Sequence, residues 1–587
     1  MPPSRVRLGP GVGGEMRAYL AWGVAAACFL LAALFVHPVR EPPSALRLVC
    51  HGGRGVTSDQ QIAACNILIN DPTLPRRDLA QIYAQRSFAH SGKNENKEAI
   101  ADISEAIRLM PNEEANWIWR GNLYDDMDRD DLAIKDYAHA IALAPDDERA
   151  INNRGFAYGR LGQTDRAIAD YDAAIKLMPR VALYYVNRGE AWQGKHENEK
   201  AIADFDKAIE LFPDYARAYR DRGDTYAALK KDGLAIDDFQ KAVSLAPNDA
   251  AAWNNLGCAL DRTDREDDAI NAFTQAIKAE PRYATAYDNR GLLRARKGDI
   301  KDALADFQKA TGLSPRSANM LRHRAEAYAD LGRYDRAMED FAALLQRNPK
   351  DYTSLNNRGN AYRKMGRLDL AIADYTRALT LIPNEPTILA NRSDAYQRSG
   401  RNALALKDID AAIAAEPTYL RYRRRGDTKD DMGDRQGAIA DYSRALKLKP
   451  GDWISYYNRA VAYADEGDKT QALADYNAAL EITRGEDRAQ AYAGRAGYFF
   501  DDGDDDKALA DCEAALKLDR KNADAWYWRG RVHMRRHEDA LALADFDAAI
   551  RADPDLMDAY RRRGQVKLRQ GDRKGGDADI AKSKSGA

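Results

Sequence analysis

The repeating unit is clearest in residues 152–179, which read NNRGFAYGRLGQTDRAIADYDAAIKLMP. Apolar and small residues in the first half, among them Tyr158, follow the spacing of one helix face. A turn at Gly162 leads into a second stretch with the same spacing, which includes Tyr171 and stops before Pro179. The stretch therefore predicts two amphipathic helices that form a helix-turn-helix hairpin.

The hairpin recurs with a fixed period. Ten prolines lie 34 residues apart from one another, at Pro111, Pro145, Pro179, Pro213, Pro247, Pro281, Pro315, Pro349, Pro383 and Pro417. Most are followed nine residues later by an arginine and a small residue, and this frame extends from Arg86 to Arg563. Counting those arginine positions predicts fifteen repeats. In such an array no hairpin buries its apolar face alone, so neighbours share one core.

These repeats resemble the tetratricopeptide repeat family over residues 80–587, in their order of aromatic, small, tyrosine, alanine, aromatic, alanine and proline residues. The resemblance implies an all-α fold. It implies an α-solenoid of about fifteen 34-residue hairpins that forms a right-handed superhelix, with an inner groove built mainly by the first helix of each hairpin. It also implies that the groove binds a protein or a peptide.

Opposite charges stand among the apolar positions of each repeat. An arginine on the first helix is followed 16 residues later by an aspartate in fourteen of the fifteen repeats, and the exception has Leu256 and Ala272 instead. Because both charges are lost together, we predict a partly buried salt bridge within each hairpin. A ladder of arginines that binds phosphate is the alternative. Representative pairs are Arg120 with Asp136, Arg154 with Asp170, and Arg188 with Asp204.

The residue before the repeat arginine is an asparagine in seven repeats. A side-chain amide carries both a donor and an acceptor, so a row of amides matches an extended peptide backbone. The family resemblance implies the same role. The alternative is that these residues only brace the next helix. The predicted groove residues are Asn153, Asn187, Asn255, Asn289, Asn357, Asn391 and Asn458.

A second predicted binding site consists of Asn360, Asn391 and Arg424 in successive repeats. Some members of the resembling family place polar and basic groups there to clamp a C-terminal carboxylate. The match is partial, because Asn356 and Leu420 stand where that clamp has lysines.

The N-terminal region contains an uncharged run of 19 residues at 18–36, AYLAWGVAAACFLLAALFV. Its length is that of a membrane-spanning helix, so we predict a transmembrane signal anchor. A cleaved signal peptide is the alternative, although residues 43–45 form a poor cleavage site. The predicted domains are a tail at 1–17, the anchor at 18–36, a linker at 37–56, a capping half-repeat at 57–79 and the solenoid at 80–587, with breaks in the repeat frame near 418 and 485.

Two cysteines bear on the compartment. Cys50 and Cys65 lie close together after the apolar run, and a disulfide between them would fit an oxidising environment. Arginines are balanced on the two sides of the run, so charge does not set its orientation. The expectation is a membrane-anchored bacterial-type protein, with a single pass and a periplasmic repeat domain.

Composition and motifs narrow the function classes. The 587-residue chain has a formal net charge of -2, so no positive field attracts nucleic acid. His533 and His537 lack a glutamate between them, and the acidic run at 501–506 lacks the pattern of a calcium loop, so we predict no metal and no cofactor. The prediction is a non-enzymatic, membrane-tethered interaction scaffold for a protein or peptide partner. Two alternatives are a self-assembling repeat protein and an enzyme whose acidic site is hidden among the repeats.

Overall fold

The computed structural model describes residues 43–584, and in that range it contains 32 α-helices and no strand. Two short helices come first, and the remaining thirty pair into fifteen antiparallel hairpins. The prediction of an all-α repeat solenoid is confirmed. The domain boundaries given above remain predictions. The chain divides into an N-terminal block that ends at Pro213 and a C-terminal block that begins at Asp214.

In the N-terminal block, α1 and α2 precede four hairpins, and each hairpin packs on the next. The side chain of Thr57 caps α2 by accepting a hydrogen bond from the backbone N–H of Gln60. The helices are α1 (Pro43–Cys50), α2 (Ser58–Ile69), α3 (Arg76–Gly92), α4 (Asn96–Leu109), α5 (Glu114–Asp126), α6 (Asp130–Leu143), α7 (Glu148–Arg160), α8 (Thr164–Leu177), α9 (Ala182–Gly194) and α10 (Asn198–Leu211).

The C-terminal block contains eleven hairpins over its described residues, 214–584. Its helices are α11 (Ala216–Ala228), α12 (Asp232–Leu245), α13 (Ala250–Arg262), α14 (Glu266–Ala279), α15 (Ala284–Arg296), α16 (Ile300–Leu313), α17 (Ala318–Asp330), α18 (Tyr334–Arg347), α19 (Tyr352–Lys364), α20 (Leu368–Leu381), α21 (Pro386–Arg398), α22 (Asn402–Ala415), α23 (Tyr419–Asp431), α24 (Arg435–Leu448), α25 (Trp453–Asp465), α26 (Lys469–Ile482), α27 (Gly485–Asp502), α28 (Asp505–Leu518), α29 (Ala523–Arg535), α30 (Asp539–Ala552), α31 (Met557–Arg569) and α32 (Arg573–Lys584).

In several hairpins, an aromatic residue near the start of the first helix holds the preceding proline turn. The indole N–H of Trp117 donates to the backbone carbonyl of Pro111 at 2.9 Å, and Trp253 makes the same 2.9 Å bond to Pro247. Each ring thereby gives a carbonyl of the turn a hydrogen-bond donor. This bond links the aromatic position to the proline that marks the repeat.

Small residues after the repeat arginine let the two helices of a hairpin approach. A Cβ added at Gly359 would lie 2.6 Å from Cε1 of Tyr375, whose side chain is fully buried on the second helix. The ring is also fixed by its hydroxyl, which donates to Asn360 Oδ1 at 2.7 Å. Close packing of a glycine against a ring therefore sets the distance between the helices.

We expect Gly359→Ala to lower the stability of its hairpin by about 1 kcal/mol. Overpacking costs about 1–3 kcal/mol, and the higher helix propensity of alanine returns about 1 kcal/mol. The matched control is Gly312→Ala, because no atom lies within 4 Å of a Cβ built at that helical glycine. Hydrogen exchange of both variants tests the pair. Equal effects at the two positions would contradict the packing argument.

The predicted transmembrane helix at 18–36 lies outside the residues that the structure describes. Between residues 43 and 584, no helix is long and apolar enough to cross a membrane. Even the longest helix of that range, α27 with 18 residues, has acidic residues at both ends. This finding contradicts the predicted localisation, a single-pass membrane protein with a periplasmic repeat domain, and we withdraw that prediction.

Candidate partner-binding row on the first helices

The repeat arginine joins the two helices of its hairpin. Arg154 donates from Nε to Asp170 Oδ2 at 2.8 Å and from Nη2 to Oδ1 at 2.7 Å, and Asp170 is buried. The hydrogen bond to Asp170 raises the pKa of Arg154 above its ordinary value. The same two-bond geometry occurs at all fourteen Arg–Asp pairs between residues 86 and 579. In the exceptional hairpin, Leu256 and Ala272 are buried apolar residues.

Several of these arginines also reach the hairpin before them. Nη1 of Arg188 donates to Asp172 at 2.6 Å, and Nη1 of Arg290 donates to Thr274 at 2.9 Å. Arg120 and Asp136 show the same arrangement, with a further 3.1 Å bond from Arg120 Nη1 to Ser104. Because the N–H groups of these arginines already meet protein acceptors, the arrangement disfavours a phosphate ladder.

In each block, the candidate surface is a line of side chains along the first helices, and we call these positions the first-helix row. It consists of the residue immediately before each repeat arginine and the residue two positions after it. All seven predicted asparagines belong to the row, and each donates its amide N–H to a side chain of the preceding hairpin. The pairs are Asn153 to Asn122, Asn187 to Asn152, Asn255 to Asp224, Asn289 to Asn254, Asn357 to Glu326, Asn391 to Asn356, and Asn458 to Asp427.

These bonds bear on the two interpretations of the asparagines. Six of the seven pairs have donor–acceptor distances of 2.8 to 3.0 Å, within the range of ordinary amide hydrogen bonds. Each asparagine therefore braces its helix against the preceding hairpin. Peptide contact is compatible with bracing, since an amide has a second N–H and two acceptor positions. Peptide contact stays a prediction.

The acceptors reveal a longer period that the sequence reasoning missed. Asn122, Asp224, Glu326 and Asp427 each stand two positions after a repeat arginine, in every third hairpin. At the junctions of Asp224, Glu326 and Asp427, an arginine makes a second hydrogen bond between the same two hairpins. These bonds run from Arg220 to Asp249 at 2.8 Å, from Arg322 to Asp351 at 3.0 Å and from Arg423 to Asp452 at 2.9 Å. Comparing the hairpins three at a time would have identified these acceptors.

Burial changes the acid strength of the row's carboxyl groups. Removal from water raises the pKa of Asp224 to about 6, and it also raises the pKa values of Glu326 and Asp427. The hydrogen bond that the side-chain amide of Asn255 donates to Asp224 opposes this rise in pKa, because it stabilises the carboxylate. The asparagines thus hold partly buried acidic groups in the row.

Some amides keep an open acceptor. The side-chain carbonyls of Asn187, Asn289, Asn391 and Asn458 accept no hydrogen bond from residues 43–584, and none of these oxygens is a buried atom lacking a partner. The partly buried Asn289, Asn391 and Asn458 therefore present these oxygens at the surface of the row, whereas Asn187 is buried. An oxygen of this kind accepts a hydrogen bond from the N–H of a peptide backbone.

The predicted clamp residues have separate partners. Asn360 accepts the hydroxyl of Tyr375, Asn391 donates to Asn356, and Arg424 donates from Nη1 to the backbone carbonyl of Ala390 at 3.4 Å. Burial lowers the pKa of Arg424 from its ordinary value. Within the described chain, no hydrogen bond or ion pair joins the three side chains to one another. The clamp stays a prediction.

Exposed apolar side chains also belong to the row. Phe88 follows its repeat arginine by two positions, is 47% exposed, and stacks on Trp119 with ring centroids 4.0 Å apart. The indole N–H of Trp119 donates to Ser87 at 2.9 Å, which fixes the pair. Leu292 occupies the same position as Phe88 in a hairpin of the C-terminal block and is 40% exposed. Exposed apolar groups of this kind mark contact surfaces when they cluster.

Outside the row, Cys50 and Cys65 lie within bonding distance of each other. A disulfide joins Cys50 and Cys65, whose Cα atoms are 4.9 Å apart. It connects α1 to α2, and Gln61 adds a hydrogen bond of 3.0 Å to the carbonyl of Cys50. In the part of the chain with described coordinates, no group of three or more His, Cys, Asp or Glu side chains is arranged to hold a metal ion.

The fold and the row define a helical-repeat protein. Sequence models of the tetratricopeptide repeat match residues 115–147, 148–181, 193–250, 254–318, 294–356, 352–385, 423–489 and 495–556. Together these matches cover more than half of the chain. The chain belongs to the tetratricopeptide repeat family.

Solved structures with a similar arrangement of helices share little sequence with this chain. A tetratricopeptide repeat protein from Parabacteroides merdae is 21% identical over 42% of this chain and 98% of its own, with a TM-score of 0.39. Yeast Tom70 is 17% identical over 72% of this chain and 96% of its own, with a TM-score of 0.39. A chain of the APC/C hetero-tetramer Cut9-Hcn1 is 15% identical over 85% of this chain and 98% of its own, with a TM-score of 0.40. No curated protein matches the chain.

Proposed function

We propose that the protein is an interaction scaffold that binds a protein or peptide partner along the first-helix row. The observation that carries the proposal is the combination of exposed apolar anchors with open amide acceptors on one row. Phe88 stacked on Trp119 supplies an anchor in the N-terminal block, and Leu292 supplies one in the C-terminal block. Asn289 and Asn391 offer acceptors for a peptide backbone.

The mode of binding follows from this chemistry. Apolar side chains of the partner pack on the exposed anchors, while backbone N–H groups donate to the open carbonyls of the asparagines. The hydrogen bond to the preceding hairpin fixes each amide before the partner binds. Binding therefore costs less side-chain conformational entropy. This mechanism needs no catalytic step and no cofactor.

Site-specific photo-crosslinking tests the proposal. We expect a photo-reactive amino acid at Leu292 to capture a protein partner in cells, because this side chain is on the row and exposed. The matched control is Leu370, which is 46% exposed but begins the second helix of its hairpin. Mass spectrometry identifies the captured proteins.

The pattern of capture decides between the function classes. One reproducible partner at Leu292 but not at Leu370 supports a scaffold that binds through the row. Equal capture at both positions, or no capture at either, contradicts it. Capture of this chain alone would favour a self-assembling repeat protein instead.

A further inference from the structure

The first-helix row changes character in the last two hairpins of the C-terminal block. At four earlier junctions, one in every three hairpins, an acceptor two positions after one repeat arginine pairs with a donor immediately before the next, as in Asp224 with Asn255 and Asp427 with Asn458. At the last junction both positions are arginines, Arg531 and Arg562. They have the same 31-residue separation as Asp224 and Asn255. The acceptor of the pair is missing.

The guanidinium group of Arg531 packs against aromatic rings. The Cζ atom of Arg531 lies 4.2 Å from the ring centroid of Phe500 and 4.8 Å from that of Trp528. Cation–π contact of this kind orients a guanidinium without using its N–H groups. Over residues 43–584, Arg531 makes no hydrogen bond and no ion pair, so its N–H edge is free to bind an acceptor.

The second arginine has a donor without a partner. Nε of Arg562 is buried and donates to no atom of the described chain, while Nη1 donates to Gln565 at 3.2 Å. Its two sequence neighbours are paired with carboxylates, Arg561 with Asp558 and Arg563 with Asp579. Nη2 of Arg562 also makes no hydrogen bond within the described chain and, unlike Nε, is not a buried atom, so an incoming acceptor can reach it.

We propose that Arg531 and Arg562 bind an acidic segment of a protein partner, whose side-chain carboxylates supply the missing acceptor. Carboxylates accept two parallel N–H bonds from a guanidinium, and such charge-assisted bonds are the strong ones. Neither arginine forms an ion pair within the described chain, so this end of the C-terminal block favours a negatively charged partner. The inference rests on the proposed scaffold function and specifies the chemistry of the partner.

Fluorescence anisotropy with the full chain tests the site. The probe is a labelled hexaglutamate peptide with an amidated C-terminus, and labelled hexaglutamine is the neutral comparison. We expect Arg531→Gln with Arg562→Gln to weaken hexaglutamate binding at least tenfold, and added salt to weaken binding to the unaltered chain. The matched control is Arg520→Gln with Arg551→Gln, which removes the same charge from two exposed arginines and should change the affinity less than twofold.

Further comparisons distinguish side-chain carboxylates from a C-terminal carboxylate, and the arginine site from the proposed scaffold function. Hexaglutamine with a free C-terminal carboxylate should bind no better than its amidated form. Binding of the double variant as tight as that of the unaltered chain, with an unchanged circular dichroism spectrum, overturns the site, as does equal binding of both peptides. Capture at Leu292 without hexaglutamate binding leaves the scaffold standing and rejects the acidic segment. Hexaglutamate binding without capture supports the arginine site and rejects partner binding at the apolar anchor Leu292.

Discussion

The Arg154→Leu variant is expected to lower the free energy of opening of the α7–α8 hairpin by about 3–5 kcal/mol. The substitution leaves Asp170, which is 7% exposed, without either of its two guanidinium bonds. A buried charge that loses its partner typically costs this much. Arg154 suits the test because, unlike Arg188, it makes no hydrogen bond to the preceding hairpin.

The double variant Arg154→Leu with Asp170→Ala should regain most of that loss. Replacing both members of a buried pair by apolar residues is often neutral, because no charge remains to be solvated. The chain already contains such a replacement in Leu256 and Ala272, both of which are buried. If the two residues act as a pair, the free-energy change of the double variant differs from the sum of the two single changes. Two independent residues would give additive changes.

Hydrogen exchange of the α7 and α8 amides is the measurement. Repeat arrays open locally, so a single global unfolding energy would mix many hairpins. The α19–α20 hairpin, whose pair Arg358–Asp374 is unaltered, serves as the internal reference. A double variant that exchanges faster than the single variant would show that the two charges do not act as a pair.

Local spacing was enough to predict the hairpins and the residues that build them. The proline period and the paired positions 154 and 170 repeat within a single hairpin, so one sequence compared with itself reveals them. The acceptors of the asparagines could not be read in this way. Asn187 donates to a residue 35 positions earlier, whereas Asn153 donates to one 31 positions earlier, and which of the two forms depends on how neighbouring hairpins pack.

The arginine site was missed for a related reason. Arg531 and Arg562 look ordinary in a chain with 89 lysines and arginines. They stand out because neighbouring arginines are paired with carboxylates and these two are not. That difference is visible only with side chains in place. The localisation prediction went wrong because it rested on residues 18–36, and no helix of the described chain adds a membrane span.

A group of charges in the N-terminal block carries the other large expected effect. Asp125 lies in the last turn of α5 and Asp130 begins α6. Arg160 of the next hairpin lies 3.5 Å from an oxygen of Asp125 and 3.3 Å from one of Asp130. Both of those oxygens are buried and accept no hydrogen bond within the described chain. The pKa of Asp125 is raised to about 7, chiefly by burial; the opposing charge of Arg160 limits the rise, and Asp130 and Asp126 add to it. Tyr137 also faces the group, and its pKa is raised by burial.

The sign of the pH dependence follows from this shift. In the unfolded chain the pKa of Asp125 is near 3.8, so the folded state binds the proton more tightly than the unfolded state does. The contribution of Asp125 to stability is therefore fully present below pH 4 and is lost as the pH rises through about 7. Between those limits the hairpin loses roughly 2–4 kcal/mol.

Asp125→Asn should therefore stabilise the α5–α6 hairpin at pH 8 by roughly 2–4 kcal/mol and change it little at pH 4. The amide removes the buried charge and can donate to the unpaired oxygen of Asp130. The control is Asp128→Asn, since Asp128 also contacts Arg160 but its side chain is 89% exposed. Hydrogen exchange of α5 and α6, corrected for the intrinsic pH dependence of exchange, follows both variants. If Asp125→Asn destabilised the hairpin at pH 8, Asp125 would have to be ionised and held by Arg160 rather than protonated by burial.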